Sequence, residues 1–103
     1  MKTLDFNNFV DEELEKIKSI LINKTAEYNL EEDRLSFFKR AAEIQHIKTD
    51  EALVGMMTKH VISIYDMVKS DKSFPIEKWN EKCIDLINYL LLLLAVEKDC
   101  EVK

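Results

Sequence analysis

Glu81, Asp85 and Asn88 stand at i, i+4 and i+7 in a run whose other positions include Ile84, Leu86, Ile87 and Tyr89. On a helix that spacing gathers the three polar groups into one stripe. Two like charges one turn apart destabilise an exposed helix by about 0.2–0.5 kcal/mol, and burying them costs far more unless a cation or hydrogen-bond donors face them. The chemistry this points to is a Mg²⁺ or Mn²⁺ site at Glu81 and Asp85, because hard cations choose carboxylate oxygens and leave positions open for substrate phosphates. The same spacing also suits a solvated face near the start of a helix, with Lys78 and Lys82 as local partners, and on spacing alone that is the commoner arrangement.

A second stripe lies upstream, where Ala52, Gly55, Lys59, Ser63 and Asp66 fall on one narrow, small or polar face at a helical twist of about 100° per residue. Gly55 is the only glycine in the chain. Inside a helix it costs about 1 kcal/mol relative to Ala, so the sequence predicts close approach there of a ligand or of another helix. Lys59 is placed to neutralise Glu81 or Asp85, or to hold a substrate phosphate. His60 sits beside Met57, Val61 and Ile64 and reads first as a hydrogen-bonded core residue, and His46 falls in an exposed connection. Phe74, Trp79 and Tyr89 could stack on a base but read first as core anchors, as Met56, Met57 and Met67 read as core filling. No Gly-rich phosphate loop, Ser/His/Asp set or Cys/His pairing presents itself, which disfavours covalent catalysis.

The elements that must position these groups are helices. Leu14, Ile17, Ile20 and Leu21 keep a helical period over a first helix from Asp11 to about Tyr28, with Asp11, Glu12, Glu13 and Glu15 at its positive end. Asn29 suits a break and a new cap, with Glu32 three residues on. A second helix then runs to about Gln45 through Leu35, Phe38, Ala41, Ala42 and Ile44. Thr49, Asp50 and Glu51 start a third that reaches about Val68. After the loop from Lys69 to Phe74, Pro75 suits the first turn of a fourth, from Ile76 to about Lys98. The fourth helix is apolar on nearly every side from Ile84 to Val96, so its C-terminal half must be covered all round, and three small neighbours are too few to do it. The sequence therefore predicts an all-α four-helix bundle, one domain over residues 1–103, completed by homo-oligomerisation.

Composition agrees. With 103 residues, 47% hydrophobic and 34% charged, one Gly and one Pro, the chain is far from disorder and poor in the turn residues that a many-stranded sheet needs. A net charge of -5 argues against a DNA or RNA backbone as the main partner, since phosphate binding needs clustered Lys and Arg. Cys83 and Cys100 have no partners at metal-ligand spacing, so neither a disulfide framework nor a zinc site is expected, and a reducing cytoplasm is. Met1-Lys2-Thr3-Leu4-Asp5 lacks the layout of a signal peptide, and the apolar run from Leu90 to Val96 is far short of a membrane span.

In the order Glu27-Tyr28-Asn29, Phe37-Phe38 with Ala41-Ala42, Met56-Met57-Thr58-Lys59, and Glu81 through Tyr89, the segment from Glu27 to Val96 resembles the phage and prophage proteins of the nucleotide-modification-associated domain group. These are relatives of the all-α nucleotide pyrophosphohydrolases of the MazG and dimeric dUTPase type. The resemblance places Glu81 and Asp85 on the family's paired acids and Tyr89 on its Tyr. Asn29 stands where the family tends to have Gly, Ile62 where it has Arg, and Asn88 where it has Gly. The paired-Glu motif with a third acid three residues later is absent. What the resemblance implies is a phage-type nucleotide-handling protein that binds a nucleotide phosphate through a divalent ion on Glu81 and Asp85, with Lys59 and Asn88 on the ligand. Hydrolysis of a nucleoside triphosphate to the monophosphate and pyrophosphate would need a further carboxylate to take a proton from water, and Glu43 and Asp66 are the candidates. A non-catalytic nucleotide binder and a structural helical oligomer are the alternatives.

Overall fold

The computed structural model describes residues 1–26 and 33–101, and side chains for 1–22 and 33–100. Four α-helices follow one another: α1 Thr3–Ala26, α2 Ser36–Gln45, α3 Thr49–Lys69 and α4 Ile76–Glu101, with no strand among the described residues. The expectation of an all-α fold holds. The chain divides into two compact units, Met1–Asp33 and Arg34–Lys103.

The described part of the first unit is one helix. α1 begins eight residues before the sequence predicts, at Thr3 rather than Asp11, because Leu4, Phe6, Phe9 and Val10 carry the apolar period back toward the terminus. Only Asp5 therefore lies in its first turn, and Asp11, Glu12, Glu13 and Glu15 are mid-helix. Lys16 Nζ answers Glu13 at 3.3 Å across one turn. The helix end expected at Tyr28 and the cap expected from Asn29 and Glu32 fall outside the described residues.

In the second unit α3 packs on both α2 and α4. α2 is shorter than predicted. Its first turn is opened by the Leu35 carbonyl, which accepts from the Phe38 and Lys39 amides at 3.1 Å each. It closes on His46 in the left-handed region (φ 57°, ψ 43°), with the His46 amide on Glu43 O and the Ile47 amide on Ala42 O, a Schellman pattern that satisfies two terminal carbonyls. At the start of α3 the Glu51 carboxylate accepts the Lys48 amide at 3.3 Å, the reciprocal half of a capping box. α4 runs three residues beyond the predicted end.

The core of this unit is Leu35, Phe38, Leu53 and Val96, with Met56, Tyr89, Leu92 and Leu93 against it. Leu53 is 0% exposed and Val96 2%. Helix α2 therefore covers one side of the α3–α4 hairpin. The other side is uncovered: Val54, Val61, Tyr65 and Val68 on α3 are exposed, and so are Ile87, Leu90 and Leu94 on α4. Val54 on α3 and Glu97 on α4 line one groove near the hairpin's open end, and Leu90, two turns before Glu97, lies on the same face of α4. The smaller cavity lined by Leu35, Lys39, Thr49, Val96, Asp99 and Cys100 lies on the α2 side, closed by the Lys39–Asp99 ion pair at 2.9 Å. Full covering of α4, expected from its composition, is thus not achieved by the described residues of this unit.

Candidate functional site

The short loop between Lys69 and Ile76 makes α3 and α4 an antiparallel hairpin, so the ninth residue before the end of α3 meets the ninth after the start of α4. These are His60 and Asp85. The His60 ring lies 4.9 Å from the Tyr89 ring, tilted by 38°, and its Nδ1 is 4.0 Å from Asp85 Oδ2. Tyr89 in turn meets Phe38 edge-on at 6.4 Å. His60 is the better covered of the pair, with 16% of its side chain exposed against 42% for Asp85. At 4.0 Å the contact is an ion pair when His60 is protonated and too long for a hydrogen bond. It orients neither group as a general base.

One turn along α4 from Asp85, Asn88 is half-buried, and its Oδ1 is fully covered with no hydrogen-bond partner. A buried acceptor left unpaired costs about 1–3 kcal/mol. Asp85 and Asn88 are thus the two members of the polar stripe that are partly enclosed. Glu81, the third, is exposed. Among the described residues no group of three His, Cys, Asp or Glu side chains is disposed to hold a metal ion. A pair of carboxylates one turn apart would have to take the remaining positions of a six-coordinate cation from water or from a ligand.

The other predicted site residues lie apart from this cluster. Lys59 is exposed, a helical step of about 100° around from His60, so it is His60 and not Lys59 that faces Asp85. Asp66 is exposed on α3 and Glu43 on α2. At Gly55 the helix alternative fails: a Cβ built on it would meet nothing within 4 Å, so no helix among the described residues approaches it. Its neighbours on the small-residue face differ, with Ala52 buried and Ser63 half-buried. The aromatic candidates are taken up by one another, Phe74 with Trp79 edge-on at 6.2 Å and Lys78 Nζ 5.0 Å over Phe74.

Two features were missed by reading residue types alone. One is the partnership of His60 with Asp85, which the hairpin register gives once the loop is placed. The other is the exposed line Val54, Thr58, Val61, Tyr65, Val68 at alternating spacings of four and three, the period of a helix seam. The Thr58 hydroxyl is turned onto its own helix, donating to the Val54 carbonyl at 2.8 Å.

Near the groove, Asp50, Glu51 and Glu97 gather about Lys48. A hydrogen bond that the protonated Glu97 carboxyl donates to Asp50, with some desolvation and the Asp50 charge, raises the pKa of Glu97, and Lys48 opposes the shift. Compared with protein-family models, with curated proteins and with solved structures, the chain matches none of them.

Proposed function

We propose that this chain is a non-catalytic helical association module, whose working surface is the uncovered side of the α3–α4 hairpin. The observation that carries the reading is the run of large apolar side chains left 38% to 67% exposed on that side, while the opposite side of the same hairpin is buried under α2. Single exposed apolar residues are ordinary on a protein surface, but contiguous patches beyond a few hundred Å² mark binding surfaces. No helix among the described residues is long and apolar enough to cross a membrane, so the patch is offered to a protein rather than to a bilayer core. Cys83 and Cys100 are free and exposed, which fits a cytoplasmic setting.

The test separates a binding face from a core. At low micromolar concentration Tyr65→Gln and Leu94→Gln should each move the melting temperature by no more than about 4 °C, since surface substitutions fall within ~0.5 kcal/mol. Losses matching that of Leu53→Ala would mean that the face belongs to the chain's own core, and the association reading would fail.

A second reading is nucleotide handling, in line with the resemblance to the pyrophosphohydrolase relatives. It is favoured by Asn88 Oδ1, an enclosed acceptor without a donor beside Asp85. On this reading Glu81 and Asp85 share a Mg²⁺ or Mn²⁺ ion, Asn88 and Lys59 hold the nucleotide, and Glu43 or Asp66 serves as the proton acceptor if turnover occurs. A thermal shift with Mn²⁺ and nucleoside triphosphates that grows with ligand concentration, and that Asp85→Asn and Lys59→Met blunt, would support it. No shift with any combination would end it.

A further inference from the structure

We propose that the uncovered side of the α3–α4 hairpin is filled by the same side of a second copy of this chain, laid antiparallel, so that α3 pairs with α3 and α4 with α4 around a four-helix core. The proposal rests on the association reading and names its partner.

Three observations point to a reversed second copy. The first four positions of the α3 line read the same from both ends: about a midpoint between Lys59 and His60, Val54 is the counterpart of Tyr65 and Thr58 of Val61, while Val68 falls opposite Glu51. A reversed copy therefore sets Val54 on the partner's Tyr65, a small residue against a large one, as interdigitating layers require. On α4 the exposed residues behave alike, with Ile87 the counterpart of Leu94 and Leu90 of Leu91. The His60–Asp85 pairing sets the α3 midpoint across from Asp85 and Leu86, about five residues before the α4 midpoint, so a two-fold axis through the α3 midpoint is fixed by α3 alone.

The ends of the face carry opposite charge. Asp50, Glu51 and Glu97 outnumber Lys48 at the open end of the hairpin, while Lys69 lies over the Tyr65 ring at 5.5 Å near the loop end. Antiparallel pairing brings Asp50 to the partner's Lys69 twice, by symmetry. A parallel copy would instead set acid on acid. This local complementarity works against the mutual repulsion of two chains of net charge -5, which salt screens beyond about 10 Å.

The size also suits a dimer. The exposed fractions of the α3 and α4 residues, applied to ordinary side-chain areas, amount to several hundred Å² of apolar surface, of the order of the ~800 Å² that each partner gives to a specific interface. No charged residue interrupts either line between Val54 and Val68 or between Ile87 and Leu94. An isologous interface needs nothing more than this self-complementary patch.

Light scattering and sedimentation on the full chain test it. At about 100 µM the wild type should return the mass of two chains, and Tyr65→Lys and Leu94→Lys should each raise the dimer dissociation constant by about a hundredfold or more with unchanged helical circular dichroism. Lys69→Glu should weaken the dimer several-fold, and combining it with Asp50→Lys should restore the wild-type constant to within about twofold, since only a reversed copy brings the two together. A single-chain mass at every concentration overturns the second copy, and so does a dimer that both Lys variants leave intact. A dimer that Lys69→Glu weakens and the charge swap does not rescue overturns the antiparallel arrangement. The association reading fails on different grounds, through the stability of the isolated chain: a single-chain mass with Tyr65→Gln and Leu94→Gln still harmless removes the second copy alone.

Discussion

Gly55→Ala isolates one contribution cleanly. Gly55 lies inside α3 with an ordinary negative φ, and the added methyl would meet nothing within 4 Å. The folded state is therefore undisturbed, while the unfolded chain loses freedom and the helix gains a better former. Compatible Gly to Ala changes stabilise by about 0.4–1 kcal/mol. For the Arg34–Lys103 unit, close to the small-domain range in which 1 kcal/mol moves the melting temperature by about 4–8 °C, the expected rise is roughly 2–8 °C. Paired thermal and urea melts followed by helical circular dichroism would measure it, with the urea slope unchanged if only stability has altered. A fall in melting temperature would refute the reasoning, because only an atom approaching Gly55 more closely than the structure allows could make the methyl costly. A rise in stability combined with loss of Mn²⁺ or nucleotide response would instead mark Gly55 as a place where a ligand lies against backbone.

Other outcomes follow from the same geometry. Leu53→Ala should cost about 3–5 kcal/mol in urea denaturation, because the side chain is 0% exposed within the core cluster, while Val54→Ala, the next residue and 38% exposed, should cost the isolated chain under about 1 kcal/mol. His46→Gly should raise stability by up to ~1 kcal/mol in the same assay, since His46 holds a left-handed conformation that glycine adopts without Cβ strain. Glu97 has a folded pKa above its unfolded value, so its contribution is fully present below the unfolded pKa and is lost as pH rises through the raised one. Melting temperature against pH should accordingly show a component in the weakly acidic range that Glu97→Gln removes, and identical profiles for the two proteins would refute the Asp50 contact. Asn88→Leu should stabilise by about 1 kcal/mol if the enclosed Oδ1 is a simple liability, and should abolish any ligand-induced thermal shift if it is a ligand contact.

Helices two to four were legible because their signals are local. Thr49, Pro75 and the apolar periods mark starts that the structure keeps, and the loop from Ser70 to Pro75 is where periodicity lapses. Boundaries failed where tertiary packing or backbone conformation decides: α2 waits until Ser36 although Leu35 already belongs to the core, and His46 takes a conformation for which Gly or Asn would be the expected signal. The polar stripe of α4 was legible as a stripe, but which member is enclosed depends on what α3 presents opposite it. That is a question of register, answered by loop length rather than by residue type. Gly55 shows the limit of argument from residue identity, since its rarity in the chain suggested a ligand or a helix against it, and no helix among the described residues makes that contact.

The uncovered line on α3 bears on function through helix energetics as well as through exposure. Val54, Thr58, Val61, Tyr65 and Val68 are β-branched or aromatic, and each is poorer than Ala in a helix by up to about 0.7 kcal/mol because its χ1 freedom is lost against the preceding turn. Together they cost α3 roughly 2–3 kcal/mol that exposed Lys, Glu or Ala would not. Among the described residues of the Arg34–Lys103 unit nothing offsets this, since the line lies on the side that neither α2 nor α4 covers. Val54 and Leu53 make the contrast within two residues, one turned into the core and one left outside by a single helical step. Residues of this kind contribute when they are buried, at about 25 cal/mol for each Å² of apolar surface removed from water. Placed along one seam with acid at one end and a lysine at the other, they gain that burial only from a surface that the Arg34–Lys103 unit does not itself supply.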